Sequence, residues 1–115
     1  MIEMKALRIY MPLSAKVPRH KLTFWKWIFE PSLSPYILRQ AKQFGIEQAV
    51  SLRVTAGYLK GRKLTADIGE VPPPDLPVCL ELIDSEKKLI SFFKEYSEEL
   101  SGCRVALFVA AEFIS

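Results

Sequence analysis

Histidine occurs once in the 115 residues, cysteine twice and glycine five times. A single histidine, His20, flanked by Arg19 and Lys21, supplies neither a metal-ligand spacing nor a base beside a nucleophile. It is expected to be a solvated or capping side chain. Neither G-x-x-x-x-G-K-[ST] nor G-x-G-x-x-G occurs, since Gly57 and Gly61 stand alone around three residues. No apolar run approaches the roughly 18 residues of a membrane span, and Lys5 and Arg8 interrupt the first apolar stretch, so no signal peptide is read. Sixteen Lys and Arg against thirteen Asp and Glu leave a net charge of +3, without the dense basic stripe of a nucleic-acid protein. These absences lead us to expect no catalytic set, no metal site, no nucleic-acid partner and a cytoplasmic location.

What is present is globular. Half of the residues are apolar and a quarter are charged, enough for one domain over residues 1–115 with its own core. Cys79 and Cys103 lie inside apolar, strand-like runs and are expected to be buried free thiols. "KALRIYMP" (5–12) alternates, with Leu7, Ile9 and Met11 on one face, and reads as a strand ended by Pro12. "EQAVSLRVTAGY" (47–58) reads as a second strand, with Val50, Leu52, Val54 and Ala56 on one face and Ser51, Arg53 and Thr55 on the other. "LPVCLELID" (76–84) and "CRVALFVAAEFI" (103–114) complete a set of four.

"SPYILRQAKQFG" (34–45) has the signals of a helix: Ser34 as cap, Pro35 in the first turn and Gly45 at the exit. "DSEKKLISFFKEYSEEL" (84–100) reads as a second helix, capped by Asp84 or Ser85 and ended by Gly102. Its Glu95, Glu98 and Glu99 are expected to form a solvated face. Between the first strand and first helix, "LTFWKWIFE" (22–30) is bulky at nearly every position and reads as a short helix packed on the core. The order β, (short α) α, β, β, α, β predicts an α+β, ferredoxin-like βαββαβ sandwich: a four-stranded antiparallel sheet with helices on one face.

The other face of that sheet is expected to carry Arg8, Tyr10, Arg53, Glu81, Ile83 and Phe108. A mixed polar and aromatic surface of this kind suits a subunit interface. "GYLKGRKLTADIGEVPPPD" (57–75) then joins the second and third long strands, far beyond the two to five residues of an ordinary hairpin. Lys60, Arg62 and Lys63 cluster around Gly61, with Gly57 at the loop base. Guanidinium, ammonium and backbone N–H groups presented together can hold an anion. Gly57, Lys60, Gly61, Arg62 and Lys63 are therefore the candidate ligand-binding residues, on a loop expected to be mobile until it binds and stiffened on its return by Pro72, Pro73 and Pro74.

"MKALRIY" (4–10), "AKQFGIEQAV" (41–50) leading into "RVTAGYL" (53–59), and above all "LPVCLELIDSEKKLISF" (76–92) resemble the DUF190 family of PII-like proteins. That resemblance implies the ferredoxin-like fold, a homotrimer, and a regulatory rather than an enzymatic role. It further implies a nucleotide or other small anionic metabolite bound in clefts between subunits. The 57–75 loop would contact a protein partner such as a membrane transporter or a metabolic enzyme. A structural interaction module that docks such a partner without a small ligand is the alternative. PII proteins also carry a Gly-rich basic loop after the second helix that cradles ATP phosphates; here that connection is only "ELSGCR" (99–104).

Overall fold

A computed structural model describes residues 3–23 and 31–114. Among the described residues there are six strands: β1 (Glu3–Pro12), β2 (Gln48–Arg53), β3 (Ala56–Gly57), β4 (Thr65–Ala66), β5 (Pro77–Asp84) and β6 (Arg104–Glu112). Two α-helices, α1 (Leu33–Phe44) and α2 (Glu86–Glu95), and a 3-10 turn at Arg19–Lys21 complete the described elements. The main sheet has the order β2-β5-β1-β6, with every neighbouring pair antiparallel. This is the ferredoxin-like arrangement that the element order predicts. The expected aromatic helix at 22–30 falls largely on residues 24–30, outside the described residues.

The core lies between one sheet face and the two helices. Leu7, Ile9 and Met11 of β1 stand opposite Leu82, Leu80 and Val78 of β5, and all six are buried. Ile37 and Ala41 of α1 and Leu89 and Phe92 of α2 close over them. The i, i+4 and i, i+3 spacings of those pairs place each on a single helix face. Phe92 is fully buried, edge-on to Phe44 at 5.4 Å and tilted against Tyr96 at 4.7 Å between ring centroids.

Local signals set the helix ends. Ser85 caps α2, its hydroxyl accepting the backbone N–H of Lys88 at 3.4 Å. Gly45 ends α1 in the left-handed region at φ 90°, donating to the carbonyls of Ala41 and Lys42, a conformation that costs glycine nothing. Two boundaries differ from expectation. The cap residue of α1 is Ser32 rather than Ser34, which leaves Pro35 within the first turn, where its missing N–H has no intrahelical role. Regular helix in α2 stops at Glu95, not beside Gly102; hydrogen-bonded turns carry the chain on to Leu100, which is still buried.

The face of β2 is a correction. Register pairs Ser51 with Leu80 and Arg53 with Val78, both core-facing, whereas Val50 pairs with Glu81 and Leu52 with Cys79 on the open face. Val50 and Leu52 are therefore not under the helices: they are 38% and 46% exposed on the open face. Arg53 lies on the opposite side of the sheet from Glu81. Alternation reveals which residues share a face but not which face that is, and an edge strand reaches beyond the helices on one side.

The expected second strand also ends early, at Arg53, and Val54 and Thr55 lead into the small β3–β4 ladder. The excursion between β1 and α1 is pinched at its base. Lys16 bridges Ser32, Val17 N–H donates to Pro31 O at 3.1 Å, and Leu33 N–H donates to Ala15 O at 2.8 Å.

Candidate functional site

The 57–75 loop is not a structureless excursion. Ala56 pairs with Ala66 and Gly57 with Thr65, forming a short hairpin stem. Thr65 is buried, and its hydroxyl donates to Gly57 O at 3.5 Å. Gly61 adopts φ 78° at the tip, beside a turn in which Arg62 N–H donates to Leu59 O at 2.9 Å. Ion pairs then tie the loop to its surroundings: Arg62 Nη1 to Asp75 Oδ1 at 2.7 Å, and Arg53 Nη2 to Asp67 Oδ2 at 3.7 Å. The proline-rich return is sewn to the end of β1, where Leu13 N–H donates to Leu76 O and Ser14 N–H to Pro74 O. Pro73 to Leu76 is itself a turn, so the return is bent rather than fully extended.

Of the five candidate ligand residues, Gly57 lies in the hairpin stem, and Arg62 is committed through one nitrogen to Asp75. Lys60 and Lys63 are exposed, flanking Gly61, with no ion-pair partner among the described residues. The loop also displays apolar side chains that charge counting does not reveal: Tyr58, Leu64, Ile68 and Val71 are all strongly exposed.

At the loop base a cleft of about 310 Å³ opens between Arg62, the Ser14–Pro18 segment and the exit of α2. Lys16, Arg62, Glu99, Ser101 and Cys103 are among its lining residues. Glu99 departs from expectation: its neighbour Glu98 is solvated, but Glu99 is only 6% exposed. Its Oε2 accepts a long 3.4 Å hydrogen bond from the Tyr36 hydroxyl, and among the described residues Oε1 has no hydrogen-bond donor. The expected solvated His20 is exposed but paired, with Nε2 2.8 Å from Glu98 Oε2. Lys21 Nζ reaches the same oxygen at 3.0 Å. The hydrogen bonds of His20 and then Lys21 hold the Glu98 carboxyl below the usual carboxylate range.

The open sheet face gathers five of the six expected interface residues. Arg8 Nε and Nη2 donate to Glu81 Oε2 at 3.0 and 2.9 Å, while its guanidinium carbon lies 4.6 Å from the Phe108 ring centroid. The pairing with Glu81, then with Tyr10, raises the Arg8 pKa above its ordinary value. Register places Tyr10 beside Cys79 and Ile83 beside Ala6 on this face. Val50 and Leu52 join them, and Arg53 does not. Both cysteines are free thiols; Cys79 is buried and Cys103 half-buried, and burial is the main cause that raises both pKa values. Among the described residues, no group of His, Cys, Asp and Glu could hold a metal ion, and no helix is long and apolar enough to cross a membrane.

The DUF190 family model, described as "Uncharacterized ACR", matches residues 4–110. The chain belongs to the DUF190 family. Two relatives, both UPF0166 proteins of Aquifex aeolicus (strain VF5), agree with this. The first is 36% identical over 76 residues, 66% of this chain and 78% of the relative. The second is 34% identical over 67 residues, 58% of this chain and 64% of the relative.

Solved structures give the fold. A PII-like signaling protein from Thermus thermophilus superimposes with a TM-score of 0.55 at 15% identity, covering 95% of this chain and 86% of that one. CPII, a nitrogen regulatory PII-like protein from Thiomonas intermedia K12 solved with ADP, AMP and bicarbonate, gives 0.57 at 9% identity, covering 95% and 85%. This DUF190 chain thus has the architecture of PII-like signalling proteins.

The cleft at the loop base escaped sequence reading because four separate stretches build it. The one available signal was Glu99: an acid next to Leu100, in the apolar stripe that continues α2.

Proposed function

We propose that this protein is a non-enzymatic, cytoplasmic PII-like regulator that assembles as a homotrimer. It takes a small anionic metabolite or nucleotide in clefts between subunits and reports occupancy to a protein partner, a membrane transporter or a metabolic enzyme, through the 57–75 loop. The observation that carries this reading is the loop itself. It is pinned at its base by Arg53–Asp67 and beside its tip by Arg62–Asp75, and Lys60 and Lys63 stay exposed on either side of Gly61. A fixed stem with a cationic tip is suited to ordering around an anion at limited entropic cost. Gly57, Lys60, Gly61, Arg62 and Lys63 are the proposed ligand residues. The similarity in fold to a protein solved with ADP, AMP and bicarbonate makes those three the first ligands to test.

Arg8, Tyr10, Glu81, Ile83 and Phe108, with Val50 and Leu52 in place of Arg53, are the proposed oligomer interface. Exposed Val50, Leu52 and Phe108 beside the Arg8–Glu81 pair form a surface that association would cover. The exposed Leu64, Ile68 and Val71 favour a second reading, in which the loop docks its partner with no small ligand at all. Calorimetry with AMP, ADP and bicarbonate separates the two. Binding that is lost in the Lys60→Ala/Arg62→Ala/Lys63→Ala variant, with assembly retained, is the expected result. Undiminished binding by that variant overturns the assigned ligand residues; no binding by the parent leaves the docking reading.

A further inference from the structure

The hairpin within the 57–75 loop has two unlike faces. Ala56 pairs with Ala66 and Gly57 with Thr65, and Asp67 N–H donates to Thr55 O, which continues the ladder by one step. Thr65 turns inward and is buried. Alternation puts Leu64, Ala66 and Ile68 on the opposite side, and Tyr58, the next residue outward from Gly57, joins them there. On that side Tyr58 is 68% exposed, Leu64 72% and Ile68 91%. Apolar side chains gathered on one projecting face mark a contact surface. The charges beside it are sorted as well. Arg53 is taken by Asp67 and Arg62 by Asp75. Lys60 and Lys63 are exposed, close in sequence to Tyr58 and Leu64, with no ion-pair partner among the described residues. Glu70, on the far side of Ile68 from the tip, is the loop's one acid left unpaired among the described residues.

We propose that this outer face of the hairpin docks on the surface of an anionic lipid bilayer. Leu64, Ile68 and the Tyr58 ring enter the boundary between headgroups and acyl chains. The Tyr58 hydroxyl stays at headgroup level, and Lys60 and Lys63 lay their stems along the apolar layer with each ammonium on lipid phosphate. The state of the cations favours this occupant over an acidic protein groove. Both arginines that could grip a carboxylate bidentately are already paired within the loop, which leaves the lysine point charges for the partner. A bilayer also accepts a convex apolar face with no matching pocket. A second copy of the hairpin packed on this face would bring the lysines of both copies together as like charges. The contact is superficial: it adds a lipid surface to the loop assigned above to a protein partner. It shares Lys60 and Lys63 with the ligand reading, whereas Leu64 and Ile68 take no part in that one.

The test is flotation of the full chain with vesicles of phosphatidylcholine alone and of phosphatidylcholine and phosphatidylglycerol in equal parts, with no nucleotide present. The parent is expected to float with the anionic vesicles and to bind the neutral ones at least about ten-fold more weakly. Lys60→Ala/Lys63→Ala should lose at least about ten-fold on the anionic vesicles. Lys87→Ala/Lys94→Ala removes the same charge from exposed positions on α2 and should bind as the parent does. Leu64→Ser/Ile68→Ser keeps every charge and should also lose at least about ten-fold, because the apolar contact is gone. The proposal is overturned if the parent fails to float, which would leave the strip to a protein. It is overturned equally if the Lys87/Lys94 variant loses as much as the Lys60/Lys63 variant, or if Leu64→Ser/Ile68→Ser binds like the parent, since net charge alone would then drive adsorption. A fall in particle size for Leu64→Ser/Ile68→Ser in sedimentation equilibrium would instead assign the strip to contact between copies. Calorimetry with AMP, ADP and bicarbonate can fail without altering the flotation result, so the two readings fall separately.

Discussion

Arg62 Nη1 lies 2.7 Å from Asp75 Oδ1, and this ion pair joins the outgoing limb of the 57–75 loop to its proline-rich return. The two residues are separated by the whole β4 limb, so the pair closes the loop as a side-chain clasp. Asp75→Asn should open it. Because the pair is partly exposed, global stability should change by no more than about 1 kcal/mol. Local protection should fall much further. Hydrogen exchange of the Arg62 and Asp67 amides, which donate to Leu59 O and Thr55 O, is expected to accelerate while the β1 and β5 amides stay slow. Unchanged exchange in the loop would show that the hairpin stem holds without the clasp.

Leu52 and Arg53 are adjacent in sequence and lie on opposite faces of the sheet. Leu52→Glu places a charge on the open face beside Cys79, within the surface assigned to assembly. Arg53→Glu instead turns the Asp67 pair into a repulsion and leaves the open face alone. Sedimentation equilibrium of the parent should give three chains per particle. Leu52→Glu should shift it to monomer, and Arg53→Glu should leave it unchanged. Equal loss of assembly in both would move the interface off this face.

The contrast at Leu52 and Arg53 also marks what the sequence makes legible. Element types and order follow from periodicity and end signals, which are local: Gly45 ends α1 and Ser85 caps α2, each through contacts within a few residues. The phase of β2 is not local. Val50 and Leu52 alternate as cleanly as Leu7 and Ile9, and only register against β5 assigns them to the open side. The candidate loop was visible through its length and basic cluster. Its clasp was not, because Asp75 looks like any loop acid until the chain folds back. Glu99 was misread with Glu98 because neighbouring residues on a turn point to different surroundings, one toward His20 and Lys21 and one into the interior.

Phe92 is the packing centre of the helical layer, in contact with Phe44 of α1 and with Tyr96 just past the end of α2. It is fully buried, so Phe92→Ala removes both ring contacts and leaves a cavity between helices and sheet. The expected loss is about 3–5 kcal/mol, measured by urea unfolding. Phe93, one position along and only partly buried, provides the comparison: Phe93→Ala should cost clearly less.

The Arg19–Lys21 turn is held to the exit of α2 by His20 and Lys21 on Glu98. These partners lower the Glu98 pKa from 4.5. A carboxyl with a depressed folded pKa stabilises above its unfolded value, and that contribution disappears as pH falls through the folded one. The clasp should therefore persist at pH 5 and above and release only below the ordinary carboxylate range. NMR shifts of the His20 ring followed down through pH 4.5 should report the release, and Glu98→Gln should abolish that acid transition. A His20 ring shift insensitive to Glu98→Gln would contradict the pairing.

Cys103 precedes β6 and lines the cleft at the loop base, and burial pushes its thiol pKa up to about 11. The nucleophile in alkylation is the thiolate, so at neutral pH folded Cys103 should react with iodoacetamide far more slowly than the same thiol in urea. The shift also has a stability consequence of definite sign. Between 9.0, the unfolded value, and about 11, the unfolded chain releases the proton while the folded chain keeps it. Stability must then fall as pH rises through that interval. Tyr36 and Tyr96, also raised chiefly by burial, push in the same direction. Cys103→Ala isolates the thiol: its urea-unfolding free energy should decline less steeply between pH 9 and pH 11 than that of the parent. Parallel declines in the two proteins would show that Cys103 ionises as freely in the folded state as in the unfolded one.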